Sequence, residues 1–348
     1  MLLSRDANTD LVRALAIALV LVHHLGQNMV SIPAWLHAYF NLGFHGVTLF
    51  FVLSGWLIGG LYWRERATSG RVDILRFWGR RWLRTLPPYF AVLPVAYLAV
   101  WLFRAEPFEL RYVFFLQNYL DEMPFFLVSW SLAVEEHFYL LLPLLLGSFA
   151  LLRISMHGAL LALIALSIAA RLIDPAAQAG TPFGYAITAS HLNMTGLMLG
   201  VYLAYVRMHN AELWQAYSNW ALKLFLPFLV GFLSLPFWTG EIRYLFGSSF
   251  VSFVCAAGLI ISVTNSTFRI ARYAAVHKLA LWSYSIYLTH ALVINATMLL
   301  APRLGVPTNL MVPVSLALIL LLGGLCYTLV ENPSMKLRER LIPRSPRT

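Results

Sequence analysis

Ten apolar stretches, each long enough to cross a bilayer, divide this chain, and no other sequence feature constrains its fold as strongly. A membrane-spanning helix needs about 20 mostly apolar residues. Charged residues make up 11% of the chain, against roughly 25% in soluble domains. The pattern predicts an all-α, polytopic membrane protein with about ten transmembrane helices. The predicted spans are 10–27, 43–63, 86–104, 130–151, 157–174, 190–206, 221–238, 244–264, 281–301 and 310–330.

The lysines and arginines between these spans predict the orientation of the chain. Segments on the N-terminal side of the membrane hold eighteen of them, and segments on the other side hold three, Arg111, Arg243 and Arg303. Because basic residues are retained on the inner side, we expect both termini in the cytoplasm. The net charge of +10 therefore indicates membrane topology and contact with membrane lipids, not nucleic-acid binding. We expect one integral membrane domain over 1–348, with a short basic tail at 331–348.

The first span carries ionisable residues in an otherwise apolar helix. Arg13 and His24 are eleven residues apart, about three helical turns, so they share one face about 16 Å apart along the axis. His23 points about 100° away from that face. Ionisable residues inside a membrane are costly and by default face the protein interior or a watery cavity. This helix therefore predicts a site or a pathway.

The fourth span adds two carboxylates at a depth similar to that of His24. Glu135 and Glu136 lie one to two turns from the outer surface in the predicted topology. A carboxylate at hydrogen-bond distance would orient a histidine and support its cation, as general base catalysis requires. The alternative is that a glutamate pairs with an arginine or begins a helix in water. We expect one of the two to pair with His24.

Two further spans carry candidate polar residues. Ser283, Tyr287 and His290 share one face of the ninth span by their spacing. His290 either touches substrate or is a buried structural histidine. In the second span, Ser54 and Gly55 predict close helix packing beside a cavity, because small residues let helices approach.

The segment before the third span is rich in arginine. The cytoplasmic start of this span carries three arginines, Arg80, Arg81 and Arg84. Guanidinium groups bind phosphate and pyrophosphate well, because their planar donors match the oxygens. The competing interpretation is a basic cluster that only sets topology. Pro87 and Pro88 predict the end of the basic helix and the entry angle of the next one.

Intramembrane Arg, His and Glu also suit a proton-coupled transporter, which is the alternative function. Transporters often show paired broken helices in two repeated halves, and the sequence shows no such pairing. It also shows no metal-binding spacing and no phosphate-loop pattern.

Several motifs together resemble acyltransferase family three, the integral membrane O-acyltransferases of the O-antigen acetylase type. The ten-residue interval between Arg13 and His24 is similar to the arginine–histidine signature of that family. Similar motifs follow in the family's order: GVTLFFVLSGWLIGG, RFWGRRWLRTLPPY, WSLAVEEHFYLLLP, LWSYSIYLTHALV and VENP. The chain departs from the family pattern at Asp10-Leu11-Val12 and at the start of the sixth span, HLNMTGLMLG.

The resemblance implies an enzyme that moves an acyl group, acetyl in our interpretation, from cytoplasmic acyl-CoA to a hydroxyl of a cell-envelope glycan or lipid-linked sugar. It implies the plasma (inner) membrane of a bacterium, with no permanently bound cofactor and no metal. His24 would be the general base, Glu135 would orient it, and Arg13 would hold or polarise the donor. The donor phosphates would bind Arg80, Arg81 and Arg84, and the candidates for lining the substrate site are Ser54, Glu136, Tyr287 and His290.

Overall fold

The computed structural model describes residues 7–29, 32–104, 107–174, 184–264 and 268–343. Within these ranges the chain is helical and has no strands, which confirms the all-α prediction. Nine helical segments of the described chain are long and apolar enough to cross a membrane. Of the residues used to predict orientation, Arg5, Arg344 and Arg347 lie outside the described residues.

In the part of the chain that the structure describes, twelve helices of eight or more residues form the bundle. They are α1 (Ala7–Gly26), α2 (Ala34–Asn41), α3 (Gly46–Ser69), α4 (Ile74–Arg104), α5 (Trp130–Leu151), α6 (Met156–Ile173), α7 (Thr195–His209), α8 (Ala211–Ser234), α9 (Ser248–Thr264), α10 (Ala274–Arg303), α11 (Thr308–Cys326) and α12 (Asn332–Leu341). Shorter helical turns lie at Leu42–His45, Leu110–Tyr112, Gln117–Tyr119, Leu127–Ser129, Tyr185–Thr188, Ser190–Leu192, Leu235–Phe237, Gly240–Ile242, Arg243–Gly247, Arg269–Arg272 and Tyr327–Glu331.

Helix α3 lies at the centre of the bundle and packs closely against α7. A side chain at Gly55 would overlap the backbone carbonyl of Leu197, and one at Gly200 would overlap that of Val52. Only glycine lets the two backbones approach this closely, as is common where membrane helices cross. The predicted close packing around Gly55 is therefore confirmed, and it fixes α3 on the side that faces α7.

One end of the bundle gathers the start of α1, the α3–α4 connection and the start of α10. There Asn8 Nδ2 donates a 2.8 Å hydrogen bond to the Ser262 carbonyl. Asp10 lies 2.9 Å from His277 Nδ1 and 3.3 Å from the Arg13 guanidinium. We call this the basic end, because the basic segment 64–84 lies there; the opposite end, which carries His24, is the far end.

The prediction that Pro87 and Pro88 end the basic helix is wrong. Helix α4 runs without interruption from Ile74 to Arg104 and contains both prolines and Pro94. Membrane helices tolerate proline when neighbouring groups bond the backbone carbonyls that proline leaves free. The two prolines free the carbonyls four residues before them. The nearby Thr85 carbonyl, which is not one of these, accepts a 2.6 Å hydrogen bond from the Tyr284 hydroxyl of α10, and this bond joins α4 to α10 at the same turn.

Two predicted boundaries also differ. The sixth span was predicted at 190–206, whereas α7 begins only at Thr195 and has 15 residues, because a separate turn, Ser190–Leu192, precedes it. The predicted tail begins as helix: a π-helical turn, Tyr327–Glu331, joins α11 to α12. A π-helical turn inserts an extra residue into the helix and often marks a functional position. It carries Glu331 into the protein interior, where 1% of its surface is exposed.

Candidate active site

A cavity of about 120 Å³ lies between five helices, α1, α3, α4, α5 and α10. On α3 its wall runs from Val47 to Leu61, fifteen residues, or about 21 Å of helix. The polar residues that line it are Arg13, Ser54, Arg81, Arg84, Thr85, Ser131, Glu135, Ser283, Tyr284 and Tyr287.

Glu135 connects three helices at the wall of the cavity. Its Oε1 accepts a 2.5 Å hydrogen bond from the Ser54 hydroxyl of α3. Its Oε2 lies 3.8 Å from the Arg81 guanidinium of α4. The pairing of a glutamate with an arginine, the alternative considered for this span, is therefore what the structure has at Glu135. Because the two charges compensate each other, both can lie at a largely buried site.

The three arginines predicted to bind the donor have different surroundings. Arg81 donates to the Tyr139 hydroxyl, and its guanidinium carbon lies 3.9 Å from the centre of that ring. The Arg84 side chain lines the cavity and makes no hydrogen bond to another described residue. Arg80 faces away from the cavity, bonding the Ile342 carbonyl and lying 2.8 Å from Glu339. Arg81 and Arg84 therefore line the cavity, whereas Arg80 lies outside it.

A second buried carboxylate stands behind the basic part of the cavity. Glu331 accepts a 2.6 Å hydrogen bond from the Ser285 hydroxyl of α10. It is close enough to Arg84 and Arg13 to interact electrostatically with both. When it is ionised, Glu331 offsets part of the repulsion between Arg84 and Arg13.

Glu136 does not line this cavity. It is buried, and its Oε1 accepts a 2.9 Å hydrogen bond from the Thr85 hydroxyl. Its other oxygen has no hydrogen-bond partner among the described residues. Glu136 points away from Glu135 because adjacent residues of a helix differ by about 100° in direction.

Toward the far end, an aromatic residue separates the cavity from a pair of histidines. The Tyr287 hydroxyl, on the cavity wall, lies 2.6 Å from the Ser131 hydroxyl and donates to the Val128 carbonyl at 3.0 Å. The centre of the Tyr287 ring is 5.5 Å from that of His290, which in turn is 4.7 Å from that of His24. His24 is partly exposed, whereas His290 is fully buried.

The predicted pairing of Glu135 with His24 is wrong. Within the described chain, Glu135 contacts Ser54 and Arg81, while His24 Nδ1 bonds the Val20 carbonyl at 2.9 Å. Position along each helix predicts similar depths for both residues, but it does not determine which helices are neighbours. Helix α1 packs mainly against α3 and α10, so the histidine that His24 meets is on α10.

Three polar cavity residues were not among the residues singled out from the sequence, although the sequence carried a signal for each. Ser131 is four residues before Glu135, Thr85 is four residues after Arg81, and Tyr284 is three residues before Tyr287. Residues three or four apart on a helix share a face. Once a helix contributes one residue to a site, these neighbours are the next candidates.

Comparison with known proteins agrees with the motifs. A family model described as an acyltransferase domain matches residues 6–329. O-acetyltransferase OatA of Staphylococcus aureus (strain NCTC 8325 / PS 47) is 31% identical over 154 residues, covering 39% of this chain and 24% of the relative. Putative O-acetyltransferase SACOL0978 of S. aureus (strain COL) is 30% identical over the same lengths.

The chain spans about a quarter of the length of these curated relatives. No solved structure matches it significantly. The family model, however, covers nearly all of the described helices, including every helix that lines the cavity. The chain therefore belongs to acyltransferase family three.

Proposed function

We propose that this protein is a membrane O-acyltransferase that moves an acetyl group from acetyl-CoA to a hydroxyl of a cell-envelope glycan or lipid-linked sugar. The observation that carries the proposal is the cavity itself. It gathers Arg13, Arg81 and Arg84 along its walls and ends beside the ring of Tyr287, next to His290 and His24. The acetyl group is chosen because the relatives are named O-acetyltransferases.

Donor binding in this proposal depends on the arginines of α4. The guanidinium group of Arg84 can donate to a ligand, since the Arg84 side chain makes no hydrogen bond to another described residue. Arg81 is already held by Tyr139 and lies near Glu135, so it offers a fixed charge beside the donor. Guanidinium groups bind phosphate oxygens in a bidentate manner. The phosphates would stay near the basic end, and the thioester arm would follow the cavity toward Tyr287.

The tautomer of His24 suits a general base. A backbone carbonyl can only accept, so the 2.9 Å contact to the Val20 carbonyl requires the proton on Nδ1. Nε2 then carries the lone pair that can take a proton from an acceptor hydroxyl. As the acceptor oxygen attacks the thioester carbonyl, its proton passes to Nε2. When the carbon–sulfur bond breaks, that proton passes to the CoA thiolate.

The orientation and location of the protein belong to the same proposal. The basic end would face the cytoplasm, where acyl-CoA is made, and both termini would lie on that side of the plasma membrane of a bacterium. The lysine and arginine distribution supports this orientation. The acceptor would then approach His24 from the far end, where this histidine is partly exposed.

The test uses purified protein reconstituted in vesicles with acetyl-CoA labelled in the acetyl group. Envelope glycans and lipid-linked sugars are offered on the far side, and product is followed as labelled ester and released CoA. We expect labelled ester that mild alkali removes, as for an O-acetyl group. Proton movement across the vesicle membrane without any labelled ester would favour the transporter interpretation and refute the proposal.

A further inference from the structure

Three aromatic side chains and one carboxylate gather at the far end of the bundle, outside the cavity. Tyr119 lies in the connection between α4 and α5, and Asp174 directly follows α6. Tyr185 and His191 lie in the short turns before α7. Both connections are opposite to the α3–α4 connection of the basic end, and none of the four residues lines the cavity. We call Tyr119, Asp174, Tyr185 and His191 the far-end cluster.

Hydrogen bonds join the members of the far-end cluster through the Asp174 carboxylate. The Tyr185 hydroxyl donates to Asp174 Oδ2 at 3.1 Å, and His191 Nε2 lies 3.0 Å from the same oxygen. Because an ionised carboxylate only accepts, His191 Nε2 carries the hydrogen of this bond. The Tyr119 hydroxyl lies 3.4 Å from His191 Nδ1, and the two rings are parallel to within 10°. The positions of the three rings are therefore fixed relative to one another.

The rings of the far-end cluster remain accessible. The Tyr119 residue is 38% exposed and the His191 side chain 39% exposed. Tyrosines at a membrane interface can also contact lipid headgroups, which is the alternative interpretation of such a surface. That role does not require a carboxylate held between the rings. The combination of exposed ring surface with a fixed carboxylate indicates a ligand that has both apolar and hydroxyl-bearing surfaces.

Buried side chains hold the backbone beneath the far-end cluster in place. Asn118 Nδ2 donates to the Thr188 carbonyl at 3.1 Å and to the Ser190 hydroxyl at 2.8 Å. The Thr188 hydroxyl donates back to the Asn118 carbonyl at 2.8 Å. On α6, Arg171 donates to the Leu192 carbonyl at 2.7 Å. These bonds fix the residues next to Tyr119 and on both sides of His191, and a surface held in one conformation costs less entropy when it binds a ligand.

A sugar ring has the two kinds of surface that this arrangement fits. One face of a pyranose carries C–H groups, which pack on the electron-rich face of an aromatic ring. Its edge carries hydroxyls, which can donate to a carboxylate or bond to a tyrosine hydroxyl or an imidazole. The far-end cluster offers each of these groups. His191 is also the first residue of HLNMTGLMLG, where the chain departs from the family pattern, as expected of a residue that selects the acceptor.

We propose that the far-end cluster is a binding subsite for a sugar ring of the acceptor glycan, separate from the ring that receives the acetyl group. This inference rests on the proposed function, in which the acceptor approaches from the far end. Because the four residues lie outside the cavity, the bound ring contributes binding energy and does not take part in the chemical step. Longer acceptors, which can reach both places, are therefore the preferred substrates.

The test measures sugar binding and acetyl transfer separately. The probes are oligosaccharides released by mild acid from the envelope glycans of cells that make the protein, separated by length. Their dissociation constants are measured by titration calorimetry with purified full-length protein in phosphatidylcholine nanodiscs. We expect Tyr119→Ala to weaken binding of the longer fragments about 5- to 15-fold, the loss expected for one aromatic contact. KM for the same fragments should rise by a similar factor, whereas KM for acetyl-CoA should not.

Two control variants distinguish the ring of Tyr119 from a general effect on this connection. Tyr119→Phe retains the ring and should keep the dissociation constant within about threefold of wild type. Phe114 lies in the same connection, is exposed and is outside the far-end cluster, so Phe114→Ala should bind the fragments as wild type does. Equal losses in Tyr119→Ala and Phe114→Ala, or no loss in Tyr119→Ala, would overturn the inference.

The remaining outcomes are also decisive. If Tyr119→Ala does not fold, His191→Ala replaces it, and unchanged fragment binding by that variant would refute the subsite. Wild-type protein that binds none of the fragments, or binds them only when the nanodiscs contain phosphatidylglycerol, would assign the surface to lipid headgroups instead. Wild-type protein that binds the fragments through Tyr119 but transfers no acetyl group would refute the proposed function and leave the sugar site established.

Discussion

The Ser54 hydroxyl donates a 2.5 Å hydrogen bond to Glu135 Oε1 and joins α3 to α5 across the cavity. The other oxygen of this carboxylate lies 3.8 Å from Arg81, so Glu135 also links α3 to α4. The carboxylate that was predicted to orient a catalytic histidine therefore places a negative charge beside Arg81 at the cavity wall instead.

The first prediction concerns this ion pair. Glu135→Gln should lower the free energy of unfolding by about 1–3 kcal/mol, because Arg81 loses its nearby negative charge. The double variant Glu135→Gln with Arg81→Met should lose less than the sum of the two single variants, since neither charge remains. Unfolding in detergent, followed by tryptophan fluorescence, measures all three. Losses that add to within about 0.5 kcal/mol would show that the two charges do not interact.

A second prediction separates the arginines of α4. Arg84→Ala should raise KM for acetyl-CoA about 10- to 150-fold at low salt, since charge-assisted phosphate bonds contribute about 1.5–3 kcal/mol. The effect should shrink as salt is added. Arg80→Ala is the matched control, because this side chain bonds Ile342 and Glu339 outside the cavity. Similar rises in KM for both variants would mean that the basic cluster acts only through its overall charge.

The third prediction concerns the two adjacent histidines of α1. His24→Ala should reduce kcat at least about 100-fold, the lower range for loss of a general base. His23→Ala should stay within about tenfold of wild type, since general base catalysis is retained there. The His23 ring packs against Phe44 and lies 3.2 Å from Gln27, away from the Arg13 face. Steady-state acetyl transfer gives both numbers, and a His23→Ala enzyme as inactive as His24→Ala would contradict the assignment.

A fourth prediction tests the packing of the central helix. Gly55→Ala should destabilise the protein by about 1–3 kcal/mol or more, because the added methyl group overlaps the Leu197 carbonyl on α7. Gly147→Ala on α5 is the control, since its added carbon meets no atom within 4 Å. This substitution should be neutral or stabilising, because alanine favours helix over glycine. A Gly55→Ala protein as stable as wild type would show that α3 and α7 can separate freely.

The fifth prediction concerns orientation. In a background without Cys255 and Cys326, single cysteines replace Ser69 at the basic end and Leu304 at the far end, both exposed positions. In whole cells, a membrane-impermeant thiol reagent should label the cysteine at 304 and leave the one at 69 unlabelled. The reverse pattern would place the basic end outside and remove the basis for a cytoplasmic donor.

The sequence predicted the helices well because a run of about 20 apolar residues has few other structures available to it. It predicted Arg13, Arg81, Arg84, Ser54 and Tyr287 as site residues, and the cavity brings these together. Their spacing along the helices and their polarity within apolar spans were enough to predict that these side chains face the protein interior. The roles assigned to them stay predictions until they are measured.

The errors have a common physical origin. Position along a helix fixes depth, but the neighbour across the bundle depends on packing between helices. His24 therefore meets His290 of α10, and Glu135 meets Ser54 and Arg81. Likewise, the sequence of α4 alone could not show that the helix continues through Pro87 and Pro88, because packing against neighbouring helices decides whether a membrane helix tolerates proline.

The glycine contact between α3 and α7 determines which walls of the cavity can move. One side of α3 is held against the Leu197 backbone at Gly55, while Ser54, the adjacent residue, faces the cavity. Helix α3 cannot move toward α7, because the α7 backbone already lies against it at Gly55. The cavity can therefore widen only by movement of the helices that line its other sides. Helix α4 contains three prolines, and its curvature can change most readily.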